Sequence, residues 1–167
     1  MKKLGIVLFS TAILLTGCAA NNSSNKTGSS SQASSSQTAV NQKELDKATA
    51  DYKSFVQGQI DQLLTDTEKF RDTLKEGKLD EAKKQYPLIR MAYERSEPIA
   101  ESFGESDVKI DFRLVDYVDE NKTEEGWSGF HRIEKILWET NTTTGTEKYA
   151  DQLVNDIKEL KAKIATV

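Results

Sequence analysis

Between residues 41 and 76, large side chains return every three or four positions: Leu45, Ala48, Tyr52, Phe55, then Leu63, Phe70 and Leu74, with Gln59 and Thr67 as polar members of the same row. A recurrence sustained over that length suits only one regular structure, an amphipathic α-helix of about ten turns. Gly77 supplies a stop signal directly after it. Gly58 is its weak point, costing about 1 kcal/mol relative to alanine. A helix this long with one apolar face requires partners, so the rest of the chain must provide further helices to cover it.

Those partners are present. Leu79, Ala82, Tyr86, Ile89, Tyr93, Ile99 and Phe103 mark a second helical run. Pro87 and Pro98 lie within it, and bends or a break are expected there, since each proline withholds a backbone donor and crowds the preceding turn. Residues Gly104–Gly126 read as an irregular connection rich in acids, among them Asp107, Asp111, Asp116, Asp119, Glu120, Glu124 and Glu125. A loop of that length is uncommon without a purpose. Trp127–Trp138 forms a short helix on the spacing of Phe130, Ile133 and Leu137, and Tyr149, Leu153, Ile157, Leu160 and Ile164 form a last one. No strand pattern and no internal repeat is evident. The expected fold class is all-α, a bundle of three to four helices over residues 41–167.

The first forty residues are of another kind. Met1-Lys2-Lys3, an apolar run from Leu4 to Leu15 and then Thr16-Gly17-Cys18 spell a secretory signal over residues 1–17, too short to span a membrane. The Leu-Thr-Gly-Cys ending has the form of a bacterial lipobox, in which Cys18 is acylated and becomes the mature N-terminus. Such acyl chains, at about 0.8 kcal/mol per buried methylene, hold a protein on a membrane surface outside the cytoplasm. Residues 18–40 then form a tether of Ser, Asn, Thr, Gln and Gly with a reach of roughly 25 Å. Without the signal the chain carries 21 basic and 27 acidic residues, a formal charge of −6. An acidic domain is a poor candidate for nucleic acid.

Cys18 is the only cysteine, so any metal site in the folded part uses oxygen and nitrogen donors. His131 is the only histidine. It stands one helical turn before Glu134, and both flank the apolar face of their helix, between or beside Trp127 and Trp138, while Arg132 and Lys135 lie outside that face. A half-buried imidazole and carboxylate require compensation. They can pair with each other or share a metal ion. Glu94, Glu97 and Glu101 share a face around the second proline, where mutual repulsion is relieved by solvent or by cations. Asn141-Thr142-Thr143 matches the glycosylation sequon, to which a bacterial type of signal gives little weight.

Tyr93–Phe103, Asp111-Phe112-Arg113 and Trp127–Trp138, with Asn141–Gly145 and Lys148–Leu153, together resemble the EfeO/EfeM branch of the imelysin-like proteins. The resemblance covers nearly everything after the tether. It implies a helical bundle carrying a His-x-x-Glu motif and belonging to an extracytoplasmic iron-uptake system of the EfeUOB type, with an iron permease and a haem peroxidase as partners. It further implies that His131 and Glu134 are metal ligands, with Glu97 and Asp111 as their partners, Glu94 as a supporting or alternative ligand, and Arg113 as the ion-pair partner that orients a carboxylate. Iron is the cation implied, and zinc, manganese or another divalent ion also suits one imidazole with carboxylates. The broader family carries a peptidase label, so a metallopeptidase is an alternative, although His-x-x-Glu lacks the built-in base of His-Glu-x-x-His. A surface protein binding anionic polysaccharide through cations, or an inactive truncated product, are others. Two departures stand out: a tether replaces the cupredoxin-like domain of many EfeO proteins, and the sequence stops where family members continue. The expectation is of roughly the first half to two-thirds of the domain, with apolar faces left open and dimerisation, instability or a second polypeptide as the consequence.

Overall fold

The computed structural model describes residues 41–167; the signal segment, Cys18 and the tether lie outside the described residues. Every regular element among the described residues is helical: α1 (Gln42–Lys75), α2 (Leu79–Ala100), α3 (Gly104–Asp111), α4 (Leu114–Asn121), α5 (Gly129–Lys135) and α6 (Glu147–Ile164). The all-α expectation is met. Three long helices form the body, with α1 packed along both α2 and α6, while the short α3 and α5 rest on α6 and on each other.

Helix α1 begins at Asn41, whose side chain accepts from the Lys43 amide. It ends in a Schellman turn, with the Lys78 amide donating to the Thr73 carbonyl and the Gly77 amide to Leu74. Gly77 takes the left-handed conformation this requires, at φ +74°. The core row of α1 is Val56, Ile60, Leu63, Thr67, Phe70 and Leu74. Residues 41–55 are all exposed, so Leu45, Tyr52 and Phe55, expected as part of one continuous buried face, meet no partner helix. From α6, Ala150, Leu153, Ile157, Leu160 and Ile164 complete the core against this row.

Two local expectations are corrected. Helix α2 runs through Pro87 as one element and ends two residues after Pro98, passing into a tight turn at Glu101–Phe103. Both prolines are exposed, so the Lys83 and Glu94 carbonyls they leave without an amide lie on the solvent side. The acidic stretch Gly104–Gly126 is not irregular, since it holds α3 and α4. Ile110 of α3 is fully buried, and that anchor makes a helix of an eight-residue segment too short to stand alone. Helix α5 starts at Gly129 rather than Trp127 and loosens into a π-helical turn at Ile136–Thr140.

Candidate metal centre

The candidate site is built where the start of α5 meets the end of α3. A helix C-terminus leaves carbonyls without intrahelical partners, and the residues before His131 supply some of them. Trp127 donates its indole Nε1 proton to the Phe112 carbonyl at 2.7 Å, and Ser128 Oγ donates to the Lys109 carbonyl at 3.2 Å. Gly129, at φ +82°, brings its backbone so close that a Cβ there would lie 2.3 Å from the Ile110 carbonyl oxygen. Only glycine fits. This three-residue clamp fixes Asp111, the last residue of α3, relative to His131, two residues into α5. Phe130, Ile133 and Leu137 are fully buried beneath, as their spacing requires.

His131 is half-buried. Its Nδ1 lies 2.8 Å from Glu134 Oε2, and its Nε2 lies 3.7 Å from Asp111 Oδ1. Each ring nitrogen thus has a carboxylate beside it, and the Nδ1–Glu134 contact is the one within hydrogen-bond distance. Glu134 therefore sits on the far side of the imidazole. It lines a neighbouring hollow of about 390 Å³ with Trp127 and Trp138. Trp127 is buried, whereas Trp138 is about half exposed, its ring set edge-on against Tyr86 at 5.4 Å. The Tyr86 hydroxyl is buried without a hydrogen-bond partner, and burial together with the nearby Glu134 charge raises its pKa.

On the other side of His131 lies an open cleft of about 490 Å³, lined by Glu94, Glu97, Asp107, Asp111 and Asp116 with Arg90, Arg113 and Phe112. Five carboxylates face two guanidinium groups. Partial burial first, and then the charges of Glu94, Glu101 and Asp107, push the Glu97 carboxyl above its ordinary range. Tyr93, wholly buried below, donates its hydroxyl proton to Asp107 at 2.5 Å.

His131, Asp111, Glu97 and Glu94 are thus brought to one cleft, and Glu134 is placed behind the imidazole. Arg113 forms an ion pair with Asp116, a carboxylate of the cleft wall, at 2.8 Å and is 70% exposed. A second guanidinium, that of Arg90, was missed by sequence reasoning. The Arg90 guanidinium pairs with Asp111 and, at 2.5 Å, with Glu94, while its plane lies over Phe130 (5.5 Å) and Tyr93 (6.0 Å). A signal existed in the row Tyr86, Arg90, Tyr93, Glu97, which continues one helix face at steps of four and three. Arg132, expected outside the packed face, is also drawn in, held between the rings of Trp127 and Tyr149 at 5.4 and 5.1 Å. Among the described residues, no three His, Cys, Asp or Glu side chains converge closely enough to hold an ion. The donor chemistry nevertheless fits a hard or borderline cation, because excess carboxylate with one imidazole and no thiol is the set such ions take.

Comparison with known proteins bears on this arrangement. Residues 48–167 match the family model described as Imelysin. A protein of Staphylococcus haemolyticus (strain JCSC1435) named as an Efem/EfeO family lipoprotein is 45% identical over 168 residues, taking in 100% of this chain and 58% of that protein. One of the same name from Staphylococcus aureus (strain USA300) is 46% identical over 125 residues, 74% of this chain and 44% of the relative. The chain thus spans about half the length of these curated relatives.

Proposed function

The chain belongs to the imelysin family, in the branch of the EfeM/EfeO family lipoproteins, and on that premise we propose that it is a lipid-anchored, extracytoplasmic protein that captures iron for an uptake system. The observation that carries this reading is the cleft beside His131, where five carboxylates outnumber two guanidinium groups and where partial burial, followed by the charges of its neighbours, already disfavours the Glu97 anion. A cation entering there relieves repulsion that the protein otherwise bears. His131 Nε2, Asp111, Glu97 and Glu94 are its donors in this reading, and Glu134 fixes the imidazole that presents Nε2. Iron, manganese and zinc all suit such donors, and iron is preferred on the family alone.

In this reading attachment is through acyl chains on Cys18, as the Leu-Thr-Gly-Cys ending of the signal implies; no helix among the described residues is long and apolar enough to cross a membrane. The cargo then passes to an iron permease, with a haem peroxidase as the other partner. Titration of the protein with Fe²⁺ under anaerobic conditions, followed by calorimetry, tests the capture step. His131→Ala and Asp111→Asn are each expected to weaken binding about tenfold or more, and Glu134→Gln to weaken it through the imidazole by about tenfold. Equal affinity in the wild type and all three variants overturns the assignment.

A further inference from the structure

Arg90 sits where a cation would be needed, and the inference drawn from it rests on the reading of the cleft as a cation site. Its guanidinium joins Glu94 on its own helix to Asp111 at the end of α3. The side chain is only 15% exposed, and Asp111 only 11%. Stacking over Phe130 and Tyr93 holds the guanidinium plane at the floor of the cleft rather than at its rim. Arg113, the other guanidinium lining the cleft, is 70% exposed and spends its charge on Asp116. The two arginines are therefore not equivalent, because only Arg90 covers the Asp111 oxygen that faces His131 Nε2.

We propose that Arg90 is a built-in competitor of the cargo: it neutralises Asp111 and Glu94 in the empty protein and must turn out of the cleft before a divalent cation can take them. The exclusion is electrostatic and steric together, since the same oxygens cannot serve both cations and the two positive charges repel. Removal of Arg90 by rotation needs no backbone movement, as the residue is anchored on α2 by its main chain and reaches the cleft only by its side chain. The apparent affinity is then the intrinsic affinity scaled by the fraction of molecules in which Arg90 is out. Such a device lowers the affinity for every divalent cation by the same factor, so that at low concentration only those that bind carboxylates strongly displace the ion pair. It also limits how tightly any cation is held, because the returning guanidinium fills the vacated oxygens.

Zn²⁺ alone serves as the probe, being diamagnetic and suited to the same donors. Calorimetry on the wild type, Arg90→Gln, Arg90→Lys and His131→Ala is combined with arginine side-chain NMR of the wild type. Arg90→Gln is expected to bind Zn²⁺ at least tenfold more tightly than the wild type, with Arg90→Lys between them, and the metal-free Arg90→Gln protein to melt at a lower temperature because its carboxylates have lost their counter-charge. In the wild type, the Arg90 Nε resonance moves from its ion-paired position as Zn²⁺ is added. Binding by Arg90→Gln alone, with a silent wild type, also supports competition, as the extreme case. If Arg90→Gln binds no more tightly than the wild type while His131→Ala still loses binding, the cation site stands and the competitor is overturned. If neither the wild type nor Arg90→Gln binds, both readings fall.

Discussion

Gly129 shows how a single residue sets the geometry of the site. A side chain there would strike the carbonyls of Lys109 and Ile110 and would also have to adopt φ +82°. Gly129→Ala is expected to cost about 3 kcal/mol, from the left-handed backbone and the forced separation of α3 from α5 together. Urea denaturation measures the loss, and under the proposed function cation binding weakens with it as Asp111 moves from His131. At this scale the sequence was readable in part. The pairing of His131 with Glu134 follows from their spacing on one helix, but the two residues turn out to stand in line rather than side by side toward the cleft. The approach of Asp111 rested on resemblance, because twenty residues separate it from His131 and no local rule brings them together. Arg90 looked like any helical arginine with a glutamate four residues on. What buries it, Phe130 and Asp111, arrives from other elements.

Among the elements, α1 divides into two parts of unlike character. From Val56 onward its inner row is buried, whereas residues 41–55 are exposed on all sides, although Tyr52 and Phe55 stack on each other at 6.4 Å. A helical segment of this length with little tertiary support beyond the bond from Lys53 to the Val167 carbonyl is marginal in water. Hydrogen exchange followed by mass spectrometry is therefore expected to show amides of residues 46–55 exchanging on the order of a hundredfold or more faster than those of 60–74. Equal protection along α1 is the contrary result. The long helices were legible because their periodicity runs over many turns. The short α3 and α4 were not, since eight residues give two turns and the sequence between Gly104 and Gly126 is mostly acidic. Their helical state comes from contacts, above all the burial of Ile110. The prolines of α2 misled for a related reason: a missing amide costs little where the freed carbonyl meets water.

For the molecule as a whole, stability and pH are linked most directly through Asp156 on α6. This residue is buried, and its Oδ2 has no hydrogen-bond partner. Burial raises its pKa above 3.8, with Glu159 adding to the shift and Lys109 and Gln152 opposing it. An acid whose folded pKa exceeds its unfolded value destabilises the fold when ionised, and that penalty disappears as pH falls through the folded pKa. Relative to Asp156→Asn, the wild type is thus expected to gain stability as the pH is lowered from 7 toward 4, measured as the difference in urea midpoints across that range. A constant difference excludes the effect. The bundle architecture was legible at this scale, because apolar rows on three long helices admit few other arrangements. The resemblance led to the expectation of open apolar faces, but nothing local marked the first part of α1 as the stretch left bare. The clamp of Trp127, Ser128 and Gly129 has a mechanical consequence for the same body. Since side chains at the entry to α5 grip backbone carbonyls at the end of α3, the Asp111 and His131 sides of the cleft move as one piece. Under the proposed function, loading and unloading then fall to torsions of individual side chains such as Arg90, rather than to the microsecond-to-millisecond swing of one lobe upon another.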